Sequence, residues 1–118
     1  KTLFLRGSNA AGNMITSQLT NDAGGGTLGV TVDGGATWIL TNGGNSYTGT
    51  TTVSAGALGI GHDSAIGATL LISNGNVFAY GADRTVSNTV NLNNNATSGF
   101  LGDYNLTFTG TNNLAAAG

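Results

Sequence analysis

The chain has 118 residues, with 21 Gly, 18 Thr and 15 Asn, no Pro, Cys or Glu, and a formal net charge of -2. Helix formers with charged heads are almost absent, while Thr suits a pleated surface and Gly and Asn suit turns, so the composition argues against helices and for an all-β fold. The acidic balance removes the electrostatic attraction behind nucleic-acid binding, and apolar runs such as Leu70 to Ile72 are far too short to span a bilayer, so neither nucleic acid nor membrane insertion of this segment is expected.

Lys1 to Arg6 opens directly in strand-like sequence with Leu3 and Leu5 on one face, as a cut through a repeat array would. Asn9 to Asn13 is a small-residue turn, Met14 to Leu19 a second extended stretch, and Asn21 to Gly26 a broad turn. Leu28, Val30 and Val32 then alternate with Gly29, Thr31 and Asp33, the period of a half-buried strand. Gly24, Gly26 and Gly29 satisfy G-x-G-x-x-G. A phosphate cradle of that kind needs a helix to begin inside it, and the residues from Leu28 onward are strand-like, so a glycine turn accounts for the pattern.

Residues 35–61 have the most specific order in the chain. Trp38 and Leu40 alternate with Thr37, Ile39 and Thr41; a Gly/Asn turn comes next, then Thr-rich extended sequence through Val53, a turn at Ala55 and Gly56, and Leu58 with Ile60. This reads as short strands separated by tight turns.

Beyond it a repeat emerges. Asp63, Asp83 and Asp103 lie 20 residues apart, as do Ile60, Tyr80 and Phe100, while Leu70 and Ile72 are matched 20 later by Val90 and Leu92. Gly61 with Gly81 and Asn74 with Asn94 keep the same step. Strand-sized pieces at such a period predict a β-solenoid with about 20 residues per rung and about five to six rungs. At a strand spacing of about 4.8 Å the stack is about 25 to 30 Å long. A spacing of 19, which matches Leu58 and Ile60 with Val77 and Ala79, competes with 20 and decides whether Val77 and Ala79 or Phe78 and Tyr80 face inward. Gly and Asn at the corners are expected to supply left-handed backbone. Leu106 to Asn112 echoes Leu3 to Asn9, and LAAAG comes after it as AAG does earlier. Residues 1–118 are therefore expected to be one β-solenoid segment, a unit of a longer tandem array or of an end-to-end filament.

Residues 35–61 resemble the autotransporter-associated β-strand repeat, also called the passenger-associated transport repeat. Thr37 and Trp38, Leu40, Asn45, Tyr47, Gly49, Thr51, Val53, Gly56, Leu58 and Gly61 fall in that family's order. The chain departs from it by an extra residue around Asn42, Gly43 and Gly44, and by Ala36 where glycine is more usual. The resemblance implies a right-handed parallel β-helix in the passenger region of a bacterial surface or secreted protein. It supplies no catalytic residue and no cofactor.

Some residues invite chemistry. His62 beside Asp63 has the makings of an acid/base pair, but no Ser or second carboxylate completes it, and a polar turn after Gly61 accounts for both. Asp63, Asp83 and Asp103, if stacked on one corner, bring like charges within about 5 Å on successive rungs, a hydrated corner or a calcium site. The denser Asp pattern of calcium-binding nonapeptide repeats is missing, which favours the hydrated corner. Trp38 and Tyr47 suit a sugar-stacking platform or, in preference, closure of the core where the coil changes width. Asn95-Ala-Thr and Asn105-Leu-Thr match the N-glycosylation acceptor pattern, which Asn/Thr-rich sequence produces by chance. Arg6 and Arg84 are isolated.

The expected function is a structural module outside a bacterial cell or on its surface, a rigid stalk or filament without enzymatic activity, whose partners are adjacent copies stacked end to end. An adhesin module that recognises host or cell-surface polymers is the alternative, and a contiguous exposed aromatic or apolar patch would favour it. A polysaccharide-active enzyme on this scaffold needs charged side chains clustered on one face of several rungs, and the chain has only three basic and five acidic residues.

Overall fold

A computed structural model describes residues 1–93 and 98–114. The described chain contains thirteen short strands and no helix. Strands β1 (Thr2–Leu5), β3 (Gly29–Val32), β5 (Thr50–Val53), β7 (Thr69–Ile72), β10 (Thr89–Leu92) and β13 (Asn112–Leu114) form a six-stranded sheet in that order. Strands β2 (Asn13–Ile15), β4 (Thr37–Leu40), β6 (Ala57–Ile60), β8 (Asn76–Ala79) and β11 (Gly99–Leu101) form a second, and β9 (Arg84–Val86) pairs with β12 (Leu106–Phe108) in a third.

Among the described residues every pairing is parallel, and no strand pairs with its neighbour in sequence. Backbone amides therefore bond between coils and not within one, which makes the fold a β-solenoid of about five turns spaced about 21 residues apart. Coil length varies around that mean. Thr2 lies opposite Gly29, 27 residues on, because the first coil carries a loop in which Asp22 and Gly26 close on each other. Thr50 lies opposite Thr69, a step of 19, and Thr69 opposite Thr89, a step of 20.

Alternation sets the core. On the six-stranded sheet Leu5, Val32, Val53, Ile72 and Leu92 form one inward row, and Leu3, Val30, Thr51, Leu70 and Val90 another. Leu40, Ile60 and Ala79 face them from the second sheet beside Leu58 and Val77. Each large aliphatic side chain so removed from water contributes about 1.5 to 3 kcal/mol. The rows extend along the stack, so each coil completes its core only against its neighbours.

The register settles the choice between spacings. Leu58 pairs with Val77 and Ile60 with Ala79, a step of 19, and both Val77 and Ala79 are buried. The alignment of Ile60, Tyr80 and Phe100 at 20 does not hold: Tyr80 is exposed past the end of β8, and Phe100 lies opposite Val77, 23 residues on. A strand has period 2, so a coil one residue shorter reverses the faces of the strand after it. The match of Leu70 and Ile72 with Val90 and Leu92 at 20 does hold. Gly61 and Gly81 fall out of step for the same reason as Tyr80, and Asn94 lies outside the described residues.

Among the described residues every positive φ belongs to glycine and none to asparagine, a correction to the expectation that both supply left-handed corners. At Gly56, with φ 75°, a Cβ would also meet the Ala36 carbonyl oxygen of the previous coil. Asparagine bonds between coils instead, as where the Asn113 amide donates to Oδ1 of Asn91 at 2.9 Å. The echo between residues 3–9 and 106–112 does not keep its place in the coil, because Leu3 lies in the six-stranded sheet and Leu106 in the two-stranded one.

Candidate functional site

The glycine pattern at Gly24, Gly26 and Gly29 closes on a carboxylate of the chain itself. Asp22 accepts the Gly24 N–H at 3.0 Å and the Lys1 ammonium at 2.7 Å. These partners, Lys1 foremost, hold the Asp22 carboxyl below the usual carboxylate range. No helix starts here, since β3 begins at Gly29.

His62 and Asp63 do not face each other through a hydrogen bond. Nδ1 of His62 accepts the Ser64 N–H at 3.1 Å, a turn contact, while Oδ1 of Asp63 accepts the Thr85 N–H of the next coil at 3.0 Å. Asp83 repeats that task one coil on, accepting the Asn105 N–H at 2.9 Å. The aspartate series ends there. Arg84 pairs with Leu106, which places Asn105 above Asp83 and leaves Asp103 at the preceding corner. Asp63 and Asp83 are thus acceptors that join coils, and among the described residues no group of three or more metal-ligating side chains converges. The side chain of Asn105 is also directed at Asp83, with its amide 3.3 Å from Oδ2. The acceptor pattern at Asn95 lies outside the described residues.

Trp38 and Tyr47 form no joint platform. The Tyr47 ring is buried, with its hydroxyl 2.6 Å from Oγ1 of Thr51, and it packs on Gly67, where a Cβ would overlap the ring. Trp38 stands in the inward row of β4 and donates its indole N–H to the Arg6 carbonyl at 3.2 Å. That contact ties the corner of the long first coil to the second. The motif asparagine has a task that sequence reasoning left unassigned: Oδ1 of Asn45 accepts the Leu19 N–H at 2.8 Å and Nδ2 donates to the Ala65 carbonyl at 2.7 Å, so one side chain bonds to the coil before it and the coil after it.

The lateral face carries the strongest candidate for a ligand. On the outward side of the second sheet Met14, Ile39, Gly59, Phe78 and Leu101 lie in register from coil to coil. Where this stripe meets the corners after β8 and β11, an open groove of about 410 Å³ is lined by Phe78, Tyr80, Gly81, Gly102, Asp103 and Tyr104. Tyr80 is 38% exposed and Tyr104 47%. Arg84 borders the groove at Gly81, its guanidinium committed to the Tyr80 carbonyl by bonds of 3.1 and 2.9 Å.

No family model, no curated protein and no solved structure matches this chain. Sequence reasoning did not reach the groove because the competing spacings of 19 and 20 left open whether Phe78 and Tyr80 face inward. The signal that exposes it is the spacing of 19 from Leu58 and Ile60 to Val77 and Ala79, which turns Phe78 outward.

Proposed function

We propose that this chain is a structural β-helical module of a bacterial surface or secreted protein, similar to an autotransporter passenger, and that it serves as a rigid stalk or filament shaft without enzymatic activity. The carrying observation is Asn45, whose amide joins the coils on either side of its own. Its neighbours in the motif share that purpose: Tyr47 and Thr51 fill the interior, and Gly56 permits close contact with the coil before. Residues that define the resemblance are spent on holding coils together, which is what a shaft requires.

The partners on this reading are further coils, supplied by adjacent copies of the same segment. Among the described residues, strands β1 and β2 at one end, and β13, β11 and β12 at the other, are paired on one side only. Parallel edges of this kind are templates for another strand. Electron microscopy of the protein isolated from its source, with mass spectrometry of the intact chain, tests the reading. Fibres of chains near 11.6 kDa make it a self-assembling subunit, and rods of a much heavier chain make it one segment of a shaft. Compact particles with neither rod nor fibre overturn it.

A second reading, a module whose lateral face meets cell-surface polymers, is favoured by one observation, the groove between Tyr80 and Tyr104.

A further inference from the structure

We propose that the groove bounded by Phe78, Tyr80, Asp103 and Tyr104 is a subsite for an uncharged glycan chain, an inference that rests on the reading of the lateral face as a polymer-binding surface. The first support is chemical. Pyranose rings present apolar C–H faces and hydroxyl edges, and a site for them combines exposed aromatic faces with a few hydrogen-bonding groups that fix orientation. Here the aromatic faces come from two consecutive coils, and the polar groups are two phenolic hydroxyls and a carboxylate. At about 410 Å³ and open-sided, the groove admits a sugar ring with its linkages continuing outward.

The second support is independent and lies in how the chain spends its carboxylates. Asp22 is paired with Lys1, Asp33 with Arg6, Asp63 with the Thr85 N–H and Asp83 with the Asn105 N–H. Asp103 is the exception: among the described residues its carboxylate has no hydrogen bond or ion pair, and neither have the hydroxyls of Tyr80 and Tyr104. Asn105 has taken the place above Asp83 that the 20-residue series would give to Asp103. Acceptor and donors without internal partners thus converge on one aromatic groove.

Charge chooses the class of glycan. Asp103 repels a carboxylated or sulfated chain, and Arg84, the one cation beside the groove among the described residues, already has its guanidinium on the Tyr80 carbonyl. An uncharged chain meets neither obstacle, and its hydroxyls can donate to the carboxylate.

Affinity electrophoresis of the full chain tests the proposal, in native gels containing hydroxyethylcellulose, galactomannan or laminarin as uncharged glycans and polygalacturonate as an anionic one. Tyr104→Ala, Tyr80→Phe and Asp103→Asn are run beside the wild type, each with its melting curve. These side chains are exposed or lose only a polar atom, so the variants keep the wild-type melting temperature. The expected result is retardation in at least one uncharged glycan, weakened about tenfold by Tyr104→Ala, the equivalent of about 1.4 kcal/mol for one aromatic contact. Tyr80→Phe and Asp103→Asn weaken it less. Retardation that Tyr104→Ala leaves intact overturns the assignment to this groove. Retardation by polygalacturonate alone overturns the choice of an uncharged chain and leaves the polymer-binding reading standing. No retardation by any of the four overturns both.

Discussion

The hydroxyl of Tyr47 lies 2.6 Å from Oγ1 of Thr51 in the interior of the coil, where both side chains are buried. Thr51 is a polar residue in an otherwise aliphatic row between Val30 and Leu70, and Tyr47 is what makes it tolerable there. Removing one partner costs the bond and part of the desolvation of the group left behind, about 1 to 3 kcal/mol, whereas replacing both with apolar groups of like shape costs less. Tyr47→Phe and Thr51→Val are each expected to lower stability by that amount. The double variant is expected to lose less than the sum, read from urea melts as a coupling energy. Additive losses would show that the hydroxyls act independently.

The same tyrosine gives the fold an alkaline limit. Burial pushes the Tyr47 phenol above its ordinary value of 10.0, against the opposing hydrogen bonds from Thr51 and Gly67. The folded state therefore holds the proton more tightly than the unfolded chain. Stability from this group is fully present below the unfolded value and is lost as pH rises from there through the folded value. Melting temperature is expected to fall steeply above about pH 10, and Tyr47→Phe to flatten that fall while lowering the plateau. An unchanged slope in the variant would assign alkaline unfolding elsewhere.

Asn45 offers a sharper test, because its amide uses both ends. Asn45→Ala leaves the Leu19 N–H and the Ala65 carbonyl without their partner, at a cost of about 2 kcal/mol or more. Asn45→Asp keeps the acceptor for Leu19 and sets a carboxylate oxygen against the Ala65 carbonyl, so it is expected to be destabilised at neutral pH and to recover as the carboxyl is protonated. Thermal melts at neutral and acid pH distinguish the two variants. Equal behaviour would mean that the Leu19 bond, which only the aspartate variant keeps, contributes nothing.

The architecture was legible in the sequence because a solenoid writes its period directly: Leu70 and Ile72 recur as Val90 and Leu92, and the structure pairs them. Register was legible only in part. Coils here step by 19, 20 or more residues, and a strand reverses its faces with a shift of one, so the sequence left spacings of 19 and 20 in competition, and the alignment of Tyr80 and Phe100 with Ile60 at 20 is the one that does not hold. The groove stayed hidden with that open choice, since Phe78 turns outward only at the shorter spacing. The tasks of Asn45 and of the aspartates were not legible, because their partners, Leu19, Ala65, Thr85 and Asn105, lie at least 20 residues away and are backbone atoms that no side-chain pattern marks. Tyr47, by contrast, was assignable to the core from its place in the motif.

The aspartate series separates a structural from a metal-binding role in one experiment. Asp63 and Asp83 each accept a backbone N–H from the coil above, whereas Asp103 accepts none among the described residues. Asp83→Ala is expected to lower stability by about 1 kcal/mol, the net worth of such a bond, and Asp103→Ala to change it by less than about 0.5 kcal/mol. Asp83→Asn retains an acceptor oxygen and is expected to fall between them. A corner holding calcium behaves otherwise: all three residues matter together, and millimolar calcium raises the melting temperature of the wild type but not of the variants. We expect no shift with calcium and unequal effects at Asp83 and Asp103. Equal losses at both positions together with a calcium-dependent rise would restore the metal.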